Sequence, residues 1–261
     1  MIAPTPLLDF FKRGEVARDV RLLAALGVLA PRAYEQLEIL VLLLDDPDPE
    51  VRETAEQTMA RIPLEALEAF LGRSDVPIGL REFFGDRGVF PAHIPQIEVP
   101  EDEPLIEAAS ADPVGPADEA GDTRETDAQS LAQMGFIDRL RAAFKGSREM
   151  RASLIRDPNK MIAAAVLSSP KLSDSEVASF ARMQNVSEDV LRVIGSNRAW
   201  LKNYGVVVGL TKNPKTPVGM SMNLLSRLND RDAMMLSVDR NVPEPLRVAA
   251  RKRVTQRTER G

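Results

Sequence analysis

Asp157-Pro-Asn-Lys-Met-Ile-Ala-Ala-Ala-Val166, Asn185-Val-Ser-Glu-Asp-Val-Leu-Arg-Val-Ile194, Asn213-Pro-Lys-Thr-Pro-Val-Gly-Met-Ser-Met222 and Asn241-Val-Pro-Glu-Pro-Leu-Arg-Val-Ala-Ala250 open at steps of 28 residues. Each begins with Asp or Asn, continues with Pro or Val, and becomes apolar from its sixth position. A fixed period in this range marks stacked helical units, in which one unit cannot bury its apolar face alone and its neighbours complete the core. The sixth column holds Ile162, Val190, Val218 and Leu246, and the tenth holds Val166, Ile194, Met222 and Ala250, one helical turn further along the same face. A second set, Leu172, Trp200 and Leu228 with Phe180, Val208 and Leu236, implies a second helix in each unit. The expected fold is all-α, an α-solenoid of two-helix repeats with a period of about 28 residues.

Local signals place the helix starts. Thr216 before Pro217 reads as an N-cap followed by Pro at the first helical position, where its missing N–H costs nothing. Ser173 with Glu176 reads as a capping box. Upstream, Asp75-Val-Pro-Ile-Gly-Leu-Arg81 parallels Asn241-Val-Pro-Glu-Pro-Leu-Arg247, and Asp46-Pro-Asp-Pro-Glu-Val-Arg52 lies 29 residues earlier. The apolar run from Ile39 to Leu44 is too short to span a bilayer and reads as a buried helix. Two short arrays follow, over residues 1–91 and 131–261. Between them, residues 92–130 carry eleven acids and one base, with little apolar periodicity, and read as a disordered acidic, Pro-rich linker.

The segment from Asn213 to Leu225 resembles the leucine-rich-repeat-variant type of bacterial helical repeat, whose units open with Asn-Pro-x-Thr-Pro before a Leu-rich helix, and Asp46 to Arg52 is similar to HEAT-like repeats. The resemblance implies a protein-binding scaffold. Units of the former family are shorter than 28 residues, and this chain has no cysteine for the iron–sulfur module associated with it.

Composition narrows the chemistry. Cysteine is absent, which excludes disulfides and thiolate metal sites. His93, the single histidine, stands between Pro91 and Pro95, and no nucleophile elbow, Walker motif or Gly-rich phosphate loop occurs. The expectation is therefore a non-enzyme without cofactor or metal. The carboxylate pairs Asp45/Asp46 and Asp230/Asp232 sit where helix starts favour acids. No signal peptide or membrane span is evident, so the expected location is cytoplasmic.

The net charge of −5 divides into −16 over residues 1–130 and +11 over residues 131–261. A basic half can serve nucleic acid, an anionic membrane surface or an acidic protein, and the acidic linker, held in cis, is a fourth candidate for its partner. Tyr204 stands in a column whose other members are Glu176 and Asp232, so it reads as a surface aromatic whose loss should change stability by about 0.5 kcal/mol at most. Trp200, in a column of leucines, reads as core. The candidate partner-binding residues are Lys202, Asn203, Tyr204, Lys212, Lys215, Arg251, Lys252 and Arg253. Phe136, Ile137, Leu140 and Phe144 form one face of a basic helix suited to capping an array, with a membrane surface or a partner groove as alternatives.

The expected function is a non-catalytic protein–protein interaction scaffold, with phosphate-backbone binding by the basic array as the alternative.

Overall fold

The structure, a computed structural model, describes residues 5–29, 32–92, 103–106 and 134–258. Every regular element among the described residues is helical. The chain divides into two compact units, Met1–Thr123 with Phe136–Lys145 and Leu167–Pro170, and Arg124–Gly135 with Gly146–Val166 and Lys171–Gly261. His93 and most of 92–130 lie outside the described residues.

The first unit contains α1 (Pro6–Lys12), α2 (Arg18–Ala25), α3 (Ala33–Leu43), α4 (Pro49–Ala60), α5 (Leu64–Leu71), α6 (Ile78–Gly85) and α7 (Phe136–Lys145). Helices α2, α3 and α4 pack on one another, and α1 packs on α3. The apolar run from Ile39 lies in α3, which buries Leu37, Ile39, Leu40 and Leu43 together with the polar Glu35 and Gln36. Leu140, Ala143 and Phe144 of α7 are buried, and the Phe144 carbonyl accepts a hydrogen bond from the Ser169 hydroxyl.

The Asp46-Pro-Asp-Pro-Glu-Val-Arg52 motif is consumed by structure. Asp46 accepts from the Asp48 amide at 2.9 Å and from the Arg21 guanidinium at 2.7 Å. Asp48 caps α4 by accepting from the Glu50 amide, and Arg52 donates back to the Asp46 carbonyl. Arg81, at the end of the parallel motif, donates to the Leu71 and Arg73 carbonyls. Each arginine thus satisfies carbonyls that a helix end or turn leaves open.

The second unit contains α8 (Arg148–Leu154), α9 (Lys160–Ser168, whose last two residues fall in the first unit), α10 (Asp174–Arg182), α11 (Glu188–Ser196), a 3-10 turn (Trp200–Lys202), α12 (Tyr204–Lys212), α13 (Val218–Leu225), α14 (Asp230–Val238) and α15 (Glu244–Thr258). Helix α10 packs on α12, α12 on α13, and both α13 and α14 on α15. The α10–α12 approach is close because Gly209 has no side chain: a Cβ there would stand 2.9 Å from Ala181 Cβ.

The capping box at Ser173 and Glu176 is present, but Thr216 does not cap. Helix α13 starts at Val218 after Pro217, with no side-chain cap, and the buried Thr216 hydroxyl has no hydrogen-bond partner. Helix starts fall at 160, 188, 218 and 244, so the steps are 28, 30 and 26 residues rather than a constant 28. Val218 and Met222 are accordingly exposed instead of lying in the core, and Ser221, Leu224 and Leu225 are buried in α13. The turn at 213–217 corresponds to those at 183–187 and 239–243, and all three bury their fourth residue, Val186, Thr216 and Val242. Asn213 therefore occupies the place of Met183 and Asp239, not of Asn185 and Asn241.

Asn213 also shows why that register wins. Its side-chain amide donates to the Ala181 and Met183 carbonyls, both at 2.9 Å, while its oxygen accepts from the Lys215 amide. Lys215 Nζ donates to the Val186 carbonyl at 3.2 Å. Four side-chain hydrogen bonds thus shape the 213–217 turn, two of them reaching the turn before it and one the last turn of α10.

Candidate functional site

The acids sharing the Tyr204 column are engaged. Glu176, on α10, accepts from Arg151 at 2.9 Å, both side chains being almost fully buried. Its second oxygen accepts from the Ser173 amide at 3.0 Å and hydroxyl at 2.8 Å. Burial alone would raise the Glu176 pKa, but the hydrogen bonds from Ser173 and Arg151 outweigh it and the pKa lies below the usual carboxylate value. Arg151 also donates to the Gly146 and Lys171 carbonyls.

Asp232, in the first turn of α14, collects two of the candidate residues. The Tyr204 hydroxyl donates to it at 2.6 Å, and Lys212 Nζ donates to its other oxygen at 3.0 Å. These bonds, the Tyr204 one foremost, depress the Asp232 pKa. The same hydroxyl accepts from the Asn229 amide at 3.1 Å. Tyr204 is 40% exposed, as its column implies, yet its polar end joins the starts of α12 and α14. It is a tie between helices rather than an uncommitted surface aromatic. Tyr204→Phe is accordingly expected to lower stability by about 1 kcal/mol, the usual net value of such a bond. Urea denaturation checks this, and a variant as stable as the wild type would show that the hydroxyl contributes nothing.

The remaining candidates separate. Asn203 caps α12 by accepting from the Gly205 amide at 2.8 Å. Lys202 is exposed at the end of the 3-10 turn. Trp200 is half-buried, not core: it lies in a 3-10 turn that buries none of its three residues, so a helical column cannot assign its environment. Lys215 engages the turn at 183–187. Arg253 donates to the carbonyls of Leu225, the last residue of α13, and of Leu228 just beyond it, and Arg227 donates to the Leu201 carbonyl at 2.6 Å. Cations at helix C-termini complement both the open carbonyls and the helix dipole. Arg251 and Lys252 are exposed on α15, one helical turn beyond the exposed Val248.

A surface missed by the sequence reading lies on α14, where Met234, Met235 and Val238 are 63%, 58% and 69% exposed. At 100° per residue these three and the exposed Arg231 share one face, opposite the buried Ala233 and Leu236. The apolar set of Phe180, Val208 and Leu236 carried that signal, since any helix that buries Leu236 turns Met234 and Val238 outward.

Among the described residues no group of three or more His, Cys, Asp or Glu side chains could hold a metal ion. No helix among them is long and apolar enough to cross a membrane. Compared with protein families, curated proteins and solved structures, the chain gives no match.

Proposed function

We propose that the chain is a non-catalytic protein-interaction scaffold built of stacked helical repeats. The exposed face of α14 carries this reading. Three long apolar side chains in water are unfavourable by about 25 cal/mol per Å² of apolar surface, and methionine adapts its shape to more than one partner surface. Helix α14 presents that face while packing on α15.

The test is affinity capture with the full chain, comparing wild type with Met234→Lys/Met235→Lys and quantifying by mass spectrometry. Proteins retained by the wild type should fall at least tenfold in the variant while its circular dichroism stays unchanged. Identical retained sets would overturn the assignment of this face.

Phosphate-backbone binding remains the second reading, favoured by the exposed Arg251 and Lys252 on α15. Arg151, Lys215, Arg227 and Arg253 each donate to main-chain carbonyls, which leaves fewer cations free for phosphate than the net charge of the C-terminal half implies. A protein making several phosphate contacts shows a steep fall of affinity with salt. Binding to duplex DNA that is strong at low salt and falls by a thousandfold between 50 and 200 mM would favour this reading.

A further inference from the structure

The start of α3 holds four residues of the chain's own acidic segment. The Ala33 amide donates to the Glu103 carbonyl at 2.8 Å. The Gln36 side chain donates through Nε2 to the Ile106 carbonyl at 2.7 Å and accepts the Ile106 amide at 3.1 Å. One side-chain amide thus takes both backbone groups of one residue. This is the pairing a neighbouring strand would offer, and it reads main chain rather than side chain.

Gln36 is set in place for that task. With 103–106 in place it is 1% exposed, and the two bonds to Ile106 satisfy both ends of an amide that the segment shields from water. Gly27, at φ 80°, leaves the room it needs: a Cβ there would stand 3.3 Å from Gln36 Nε2 and 3.5 Å from Thr58 Cγ2. The turn after α2 and the packing of α4 therefore form the slot's walls. Its occupant is Glu103-Pro-Leu-Ile106, with Glu103 exposed and the next three residues half-buried.

We propose that this slot is a peptide clamp, and that 103–106 is an occupant in cis which an extended segment of a partner protein, Pro followed by two aliphatic residues, replaces. Among the described residues three hydrogen bonds hold the cis segment, and both bonds from Gln36 are blind to side chains. Any chain that presents a carbonyl and, three residues on, a free N–H and C=O with aliphatic side chains satisfies the same groups. A short tether supplies an effective concentration in the millimolar range, so the cis segment weakens the binding of every competitor. The clamp depends on the scaffold reading for its partner class, but it uses none of the α14 residues.

The probe is a fluorescent peptide of the sequence Glu-Asp-Glu-Pro-Leu-Ile-Glu-Ala, that of residues 101–108, read by anisotropy against the full chain. Ile106→Pro removes the amide that Gln36 accepts and weakens the cis occupant, so this variant should bind the peptide at least tenfold more tightly than the wild type. Adding Gln36→Met, which keeps the volume and removes the amide, should cost at least tenfold. A second probe needs no further change to the protein: the same peptide methylated on the isoleucine nitrogen should bind Ile106→Pro at least tenfold more weakly than the unmodified one. Equal binding by wild type and Ile106→Pro, or equal binding of the two peptides, would overturn the clamp. Neither result bears on the α14 face, which the capture experiment reads separately.

Discussion

Arg151→Met is expected to lower the stability of the second unit by about 3 to 5 kcal/mol, the range for removing one partner of a buried ion pair. The loss comes mainly from what remains. Glu176 would stay buried with only the Ser173 amide and hydroxyl to hold its charge, while the Gly146 and Lys171 carbonyls would lose a donor. Arg151→Met/Glu176→Gln removes the stranded charge, so it should recover part of the deficit. Urea denaturation followed by fluorescence suits the measurement, because Trp200 is the only tryptophan and lies in the second unit. A loss under about 1 kcal/mol for the single variant, or a double variant no more stable than the single, would rule out a stranded charge as the source.

Glu35→Gln should stabilise the first unit at alkaline pH by about 3 kcal/mol, since each unit of pKa shift corresponds to about 1.4 kcal/mol. Glu35 is 1% exposed, and burial raises its pKa from 4.5 to about 7. The Thr5 hydroxyl and the Arg32 guanidinium oppose that rise, but neither prevails. Arg32 is 3.9 Å away, and Thr5 closes no well-formed hydrogen bond with either carboxylate oxygen. Below pH 4.5 the carboxyl is protonated in folded and unfolded chains alike, and burial carries no ionic penalty. Between 4.5 and 7 the unfolded chain releases its proton first, so the wild type loses stability as pH rises, and the penalty is complete above 7. Glutamine does not titrate. The advantage of the variant should therefore grow by about 2 kcal/mol between pH 5 and pH 8, read from native-state hydrogen exchange of the α3 amides. A constant difference across that range would show that Glu35 does not titrate as described.

The sequence displayed the helix boundaries more plainly than the register. Asp46-Pro, Asp157-Pro and the Val-Pro pairs at 76 and 242 each precede a helix, because Pro tolerates a first turn and Asx residues close the loop before it. The buried helix at Ile39 was legible from its apolar run, as was the cap at Ser173. The phase of α13 was not, since Asn213-Pro-Lys-Thr-Pro217 offers two prolines and two ways to begin. The choice falls to the contacts of Asn213 with Ala181 and Met183, which no local pattern contains. Tyr204 divides in the same way: its exposure followed from the acids in its column, whereas its hydroxyl partner Asp232 stands 28 residues away. Gln36 and Ile106 are separated by 70 residues, and the acidity of the segment between 92 and 130 gave no sign that four of its residues would be held.

The bonds from the 213–217 turn to the turn before it bear on the order in which the second unit comes apart. A helix pair joined to its neighbour only by apolar contact can fray alone, with an opening free energy well below that of the whole. Here α12 cannot leave α10 without stranding the Asn213 amide and opening the Ala181, Met183 and Val186 carbonyls at once. Helices α10 to α13 should consequently exchange their amide protons as one cooperative block, which the bonds of Tyr204 and Lys212 to Asp232 and of Arg253 to the Leu225 and Leu228 carbonyls extend to α14 and α15.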